Sequence, residues 1–124
     1  MKRIVVVYIA SQYTIGDQAV NVRRQMDAAD ELMNLGLVPI APLLSHFQHL
    51  VHPRPYQDWL KFDLELVLRS DAVLRLPGES KGADGEVGHA NNYNIPVFYG
   101  IDYLKDYLKD YHKVQSECEW IETY

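Results

Sequence analysis

The chain has 124 residues, 48% of them apolar, with 12 basic against 17 acidic side chains and a formal charge of −5. That is apolar material for one core, so a single domain over residues 1–124 is expected. Lys and Arg are scattered, which argues against a protein that tracks nucleic-acid phosphates, and the single Cys118 rules out a disulfide framework or a Cys-based zinc site within one chain.

The first stretch, MKRIVVVYIA, has a basic pair and an apolar run. It is too short in its apolar part for a signal peptide and lacks a small-residue cleavage pattern. A strand over residues 3–10, buried on both faces, is the expectation. No apolar run approaches a membrane span, so a cytoplasmic protein without a membrane partner is expected. Residues 11–17, SQYTIGD, read as a polar loop. From about Gln18 to Leu35, Val22, Met26, Ala29, Leu32 and Met33 recur at helical spacing, and Gly36 suits the position after a helix end. LVPIAP (37–42) reads as a short second strand stopped by Pro42.

Residues 43–55, LLSHFQHLVHPRP, read as a long connection that Pro53 and Pro55 keep from being one helix. A helix follows from Tyr56 or Gln57 to Arg69, then a third strand, DAVLRLP (71–77). The glycine-bearing segment LPGESKGADGEVGHA (76–90) should be a loop opening a helix at about Asp84. IPVFYG (95–100) is a fourth strand, and a further helix covers about Ile101 to Lys113. The tail SECEWIETY is ambiguous between an edge strand and a docked segment.

Strands alternating with helices predict an α/β domain with a doubly wound, flavodoxin- or Rossmann-like parallel sheet of four to five strands and helices on both faces. Ligands of such sheets bind beyond the carboxyl ends of the strands, where the strand order reverses. Three segments reach that rim here: 11–17, the loop after the second strand, and 78–86.

Glu86 lies between Gly85 and Gly88. In the first turn of a helix it would face the positive end of the dipole and stay ionised, while Gly82, Gly85 and Gly88 would leave room for a ligand. An ionised, accessible carboxylate can act as a nucleophile at an electron-poor carbon; the plainer alternative is a first-turn Glu that only stabilises its helix. Asp63 shares a helix face with Trp59, at the flank of a stripe formed by Leu60, Leu64, Val67 and Leu68. It is either a proton donor of raised pKa or a solvated surface acid. Asp71, at a helix-to-strand junction, reads as structural. Ser80, Lys81 and Gly82 combine a hydroxyl, an ammonium and free amides into a phosphate cradle. His46, His49 and His52 have no acid among them, so a wall for a flat ligand, with Phe47 and Tyr56, is expected rather than a metal site. The i,i+4 row of Tyr103, Tyr107 and Tyr111 reads as a packing or subunit-contact stripe.

In their order, VVVYIAS with Tyr8, DLELVLRSD from Asp63 to Asp71, and EVGHA from Glu86 to Ala90 resemble the nucleoside 2-deoxyribosyltransferase superfamily, which includes nucleoside 5′-monophosphate N-glycosidases. The likeness spans about residues 4–99. It implies Glu86 as the nucleophile at the sugar C1′, Asp63 as the acid that assists the leaving base, and Tyr8 as the hydroxyl that orients the nucleophile. Where the transferases carry an acid for the 5′-hydroxyl, six residues before the nucleophile, this chain has Ser80, as the nucleotide hydrolases do. The resemblance thus implies hydrolysis of a nucleoside 5′-monophosphate to base and sugar 5-phosphate. Ser11 and Gln12 would help hold phosphate or sugar. No cofactor, metal or nucleic-acid polymer is implied, and a homodimer or larger homo-oligomer is. Transfer to a second base, or binding without turnover, are the alternatives; the subunit-crossing amide of the transferases has no counterpart after Gln115.

Overall fold

The computed structural model describes residues 4–115. Four strands form one sheet: β1 (Val6–Ala10), β2 (Val38–Ile40), β3 (Ala72–Arg75) and β4 (Val97–Phe98). Their order is β2-β1-β3-β4 and every pairing is parallel. The helices are α1 (Gln18–Asn34), α2 (Ser45–Val51), α3 (Tyr56–Leu68), α4 (Lys81–Asn92) and α5 (Ile101–Gln115), with a 3-10 turn at Pro42–Leu44 ahead of α2. This is the doubly wound α/β architecture expected from the sequence. Among the described residues no helix is long and apolar enough to cross a membrane. The tail SECEWIETY lies outside the described residues.

Strand alternation explains why two helical layers are needed. Val5, Val7 and Ile9, with Ala72 and Leu74, point to one side of the sheet and pack under Ala28 and Leu32 of α1 and Leu104 and Leu108 of α5. Tyr8, Ala10 and Val73 point to the other side, beneath Val67 of α3 and Ala83 and Ala90 of α4. Burying each Val, Leu or Ile side chain of these layers favours folding by about 1.5–3 kcal/mol before chain entropy is counted. β1 and β3 are the central pair, and the order reverses between them, so the ligand edge of the sheet lies at their carboxyl ends.

Local chemistry sets the element ends. Asp17 caps α1, accepting from the Val20 amide at 3.1 Å. Gly36 takes φ +79° just past its C-cap. There Leu37 N–H returns to Leu32 O and Gly36 N–H to Met33 O, a Schellman ending. Asp71 is structural as expected: its carboxylate accepts from the Val6 amide at 2.8 Å, joining the starts of β1 and β3.

Three expectations are corrected. The buried face of α1 includes Asn21 and Gln25, while Met33 is exposed; Asn21 binds carbonyls of the loop after β1, and Gln25 binds β1, Ser11 and the turn after β2. Residues 45–51 form a helix, α2, within the stretch expected to be a connection. And α4 begins three residues earlier than Asp84, because Ser80 caps it by accepting from the Ala83 amide at 3.0 Å. Among the described side chains of α5 the buried positions are Leu104 and Leu108, and Tyr111 lies outside them. Tyr103 stands exposed, and Tyr107 lies half out of the surface with its ring 4.9 Å from that of Phe98.

Candidate active site

A pocket of about 360 Å³ opens at the carboxyl rim of the sheet, between the loop after β1, the α2 segment and the starts of α3 and α4. Its floor holds two carboxyl groups. Glu86, from the second turn of α4, and Asp63, from the middle of α3, both line it. Beneath them lies Tyr8, fully buried in β1, whose hydroxyl donates to Oε2 of Glu86. The phenol, the aspartate and the glutamate singled out in the sequence, 78 residues apart at the extremes, therefore meet at one place.

The earlier start of α4 changes why Glu86 is where it is. It is not a first-turn residue bathed by the helix dipole. It is only 8% exposed, and burial pushes its carboxyl up to about 7. The Tyr8 hydroxyl works against that rise, the charge of Asp63 adds to it, and the Arg75 guanidinium opposes it. Burial likewise lifts Asp63 to about 7. Asp63 lacks the help that Glu86 receives, for its Oδ1 is buried and has no hydrogen-bond partner among the described residues. The two acids titrate as a coupled pair. Both acids sit at about 7, but a charge on Glu86 is met by an O–H and a nearby cation, whereas Oδ1 of Asp63 has no partner among the described residues. Tyr8 keeps its own proton: burial, then the charges of Glu86 and Asp63, push its pKa far upward.

This arrangement has a cost in stability. In the folded protein these acids hold protons at pH values where the unfolded chain, titrating near 4.5 and 3.8, has released them. Stability linked to them is greatest below the unfolded values and falls as pH rises through about 7. The Tm is therefore expected to drop from about pH 5 to about pH 8, and Glu86→Gln, which cannot titrate, should flatten that slope in thermal melts. A Tm rising over the same interval in the native protein would contradict the arrangement.

Arg75 was not foreseen. It ends β3, is 7% exposed, and donates to the carbonyls of Leu76 and Gly78 and to Asp84 of α4. It thereby ties the loop before α4 to the helix, close enough to Glu86 to favour its charge. Gln25 was also missed. Its side-chain amide donates to Ile9 O and Ser11 Oγ and accepts from the Leu43 amide, which fixes the rims of β1 and of the turn after β2 against one another. A glutamine amid an apolar helical stripe is the only sequence signal for it.

The remaining candidates divide. Ser11, His46, Trp59, Ser80 and Gly82 line the pocket, as do Tyr13, Arg54 and Tyr56. Gln12 does not. Its amide donates to Ile15 O at 2.6 Å. Its side chain also fills the space beside Gly78, where φ is +129° and an added Cβ would stand 2.1 Å from Gln12 Oε1. Phe47 lies outside the lining too, exposed, with its ring edge-on to His46. Of the three glycines, only Gly82 faces the pocket; Gly85 and Gly88 are exposed and look onto open space. An alanine at position 82 would make only ordinary contacts, with Tyr56 and Ser80, so packing does not demand the glycine there. Ser80 spends an acceptor lone pair on its cap and keeps its O–H to donate, and the first helical amides at Lys81 and Gly82 have no partner within the helix. Nδ1 of His46 meets the Tyr13 hydroxyl, and Nδ1 of His49 accepts from Trp59. Among the described residues, no group of three His, Cys, Asp or Glu is placed to hold a metal ion.

Fold and site together define a parallel α/β domain whose central strands carry a two-carboxylate pocket at their switch point. The chain belongs to the family described as Domain of unknown function (DUF7768), which it matches over residues 5–100. That range contains all four strands and every pocket residue named above. No curated protein and no solved structure gives a significant match.

Proposed function

We propose that the protein hydrolyses the N-glycosidic bond of a nucleoside 5′-monophosphate, releasing the free base and a (deoxy)ribose 5-phosphate. The observation that carries this reading is the meeting of Tyr8, Asp63 and Glu86 at one pocket, with a hydrogen-bond donor on Glu86 and none on Oδ1 of Asp63 among the described residues. The resemblance of the same three residues to the nucleoside 2-deoxyribosyltransferase superfamily supports it. So does Ser80, whose O–H and adjoining helix amides suit a phosphate, where an acid would repel it.

Departure of a base from C1′ needs a proton for the base and an electron pair for the sugar. Asp63, protonated, gives its proton to the leaving base as the C1′–N bond breaks. Glu86 supplies the electron pair and forms a glycosyl ester, while Tyr8 holds Oε2 and directs the other oxygen to C1′. Asp63, now a carboxylate, removes a proton from water, whose oxygen attacks C1′ and frees Glu86. Water enters as the second substrate, and both carboxyl groups return to their starting forms. A pocket of about 360 Å³ is at the small end of the range for ligand sites and suits one mononucleotide. Exposed Phe47, Leu50, Val51 and Phe62 on α2 and α3 favour a homo-oligomer that covers them.

The test is a panel of ribo- and deoxyribonucleoside 5′-monophosphates, scored for released base. At least one should be cleaved, and the matching nucleoside without phosphate should react far more slowly. Saturable nucleotide binding with no base released would reject hydrolysis in favour of a binding domain. Incorporation of an added free base ahead of water attack would make it a transferase instead.

A further inference from the structure

Resting on that reading, we propose that His49 selects nucleotides whose base carries a carbonyl, rather than an amino group, on the edge opposite the glycosidic nitrogen. Trp59 Nε1–H donates to Nδ1 of His49 at 2.9 Å, and the backbone N–H of Arg54 donates to the same nitrogen at 3.2 Å. An indole N–H and a peptide N–H are donors only. Nδ1 is therefore bare, and the neutral ring carries its hydrogen on Nε2. The hydrogen bonds that His49 makes among the described residues are both to Nδ1, and the residue is only partly buried. His49 lines the pocket. His46 offers no comparable certainty, because its partner, the Tyr13 hydroxyl, can donate or accept.

Position decides which part of the base meets this donor. Trp59 and Asp63 both line the pocket and are four residues apart on α3, about one 5.4 Å turn. Asp63 serves the leaving nitrogen. With Asp63 at the leaving nitrogen, His49, held on the indole of Trp59 and lining the same pocket, is assigned the far edge of the base. A purine presents its 6-substituent there, and a pyrimidine its 4-substituent. A carbonyl accepts from Nε2–H. An amino group sets donor against donor and leaves both without a partner, which disfavours it by about 10- to 100-fold.

The experiment compares kcat/KM within two pairs matched in size: the uridine and cytidine 5′-monophosphates, and the inosine and adenosine 5′-monophosphates, in the sugar series that the protein cleaves. The carbonyl member should lead by about 10- to 100-fold in both pairs, and His49→Phe should reduce each ratio to about threefold or less. Trp59→Phe keeps a ring but removes the shorter of the two hydrogen bonds that hold the imidazole in place, so it should also lower the ratios; it decides the matter if circular dichroism shows His49→Phe to be unfolded. Equal rates within both pairs, or ratios unchanged in the folded variant, overturn the assignment of His49 while leaving hydrolysis intact. Absence of cleavage of all four nucleotides, and of any other in the wider panel, overturns the hydrolase reading and this one with it.

Discussion

Glu86→Gln is expected to lower kcat for base release by on the order of 10⁴-fold or more, the scale seen when a covalent nucleophile is removed, with nucleotide affinity nearly unchanged. The size of the effect follows from what Gln retains and what it lacks. Its carbonyl can still accept from Tyr8, so the buried phenol keeps a partner and the packing of β1 against α4 survives. Its uncharged oxygen cannot form the ester at C1′. The loss should therefore fall on kcat rather than on KM. Product assays with equilibrium binding measured alongside check both halves. A variant that retains a tenth or more of the native rate would remove Glu86 from the reaction.

Asp63→Asn is expected to cost about 10²–10⁴-fold, the usual worth of general acid catalysis. Its signature is in the pH profile. Native activity requires a proton on Asp63 and its absence from Glu86, and both groups titrate at about 7. The profile should be a narrow bell centred near neutrality, with limbs that belong to the coupled pair. Asn donates no acidic proton and does not ionise, so the alkaline limb should vanish and the acid limb remain. A nucleotide whose base departs without protonation should recover most of the lost rate of the first, base-releasing step in this variant, while hydrolysis of the ester stays slow. A variant that keeps both limbs would show that another group is the acid.

Much of the architecture is legible in the residues because it depends on local patterns. RIVVVYIA and DAVLRLP are apolar on both faces, which only central strands of a covered parallel sheet require. Asp17 and Gly36 mark both ends of α1 through a side-chain cap and a positive φ. The start of α4 is less legible, since KGADGE contains two residues of poor helix propensity. The helix extends through them because Ser80 caps it and Arg75 grips Asp84. That difference of three residues moves Glu86 from a solvated first turn to a buried second one, and replaces the helix dipole by Tyr8 and Arg75 as the support for its charge.

The same limit applies to the site. Asp63 and Glu86 could be nominated singly, one as an acid flanking an apolar stripe beside Trp59 and the other as an acid among glycines near a helix start, and the resemblance added Tyr8 and joined the three. Arg75 and Gln25 could not, since a buried polar residue in an apolar run reveals its role only through the loop carbonyls and amides it meets in space. Gln12 misled for the opposite reason: a polar residue directly after β1 looks available to a ligand, but its amide is spent on Ile15 and its body on Gly78.

The most direct measurement is peptide mass mapping of the protein quenched during turnover of a slowly cleaved nucleotide. A sugar-phosphate ester is expected on the peptide that carries Glu86, with Asp63 unmodified and the ester absent from Glu86→Gln. Complete base release with no ester, and with the sugar product inverted at C1′, would contradict it.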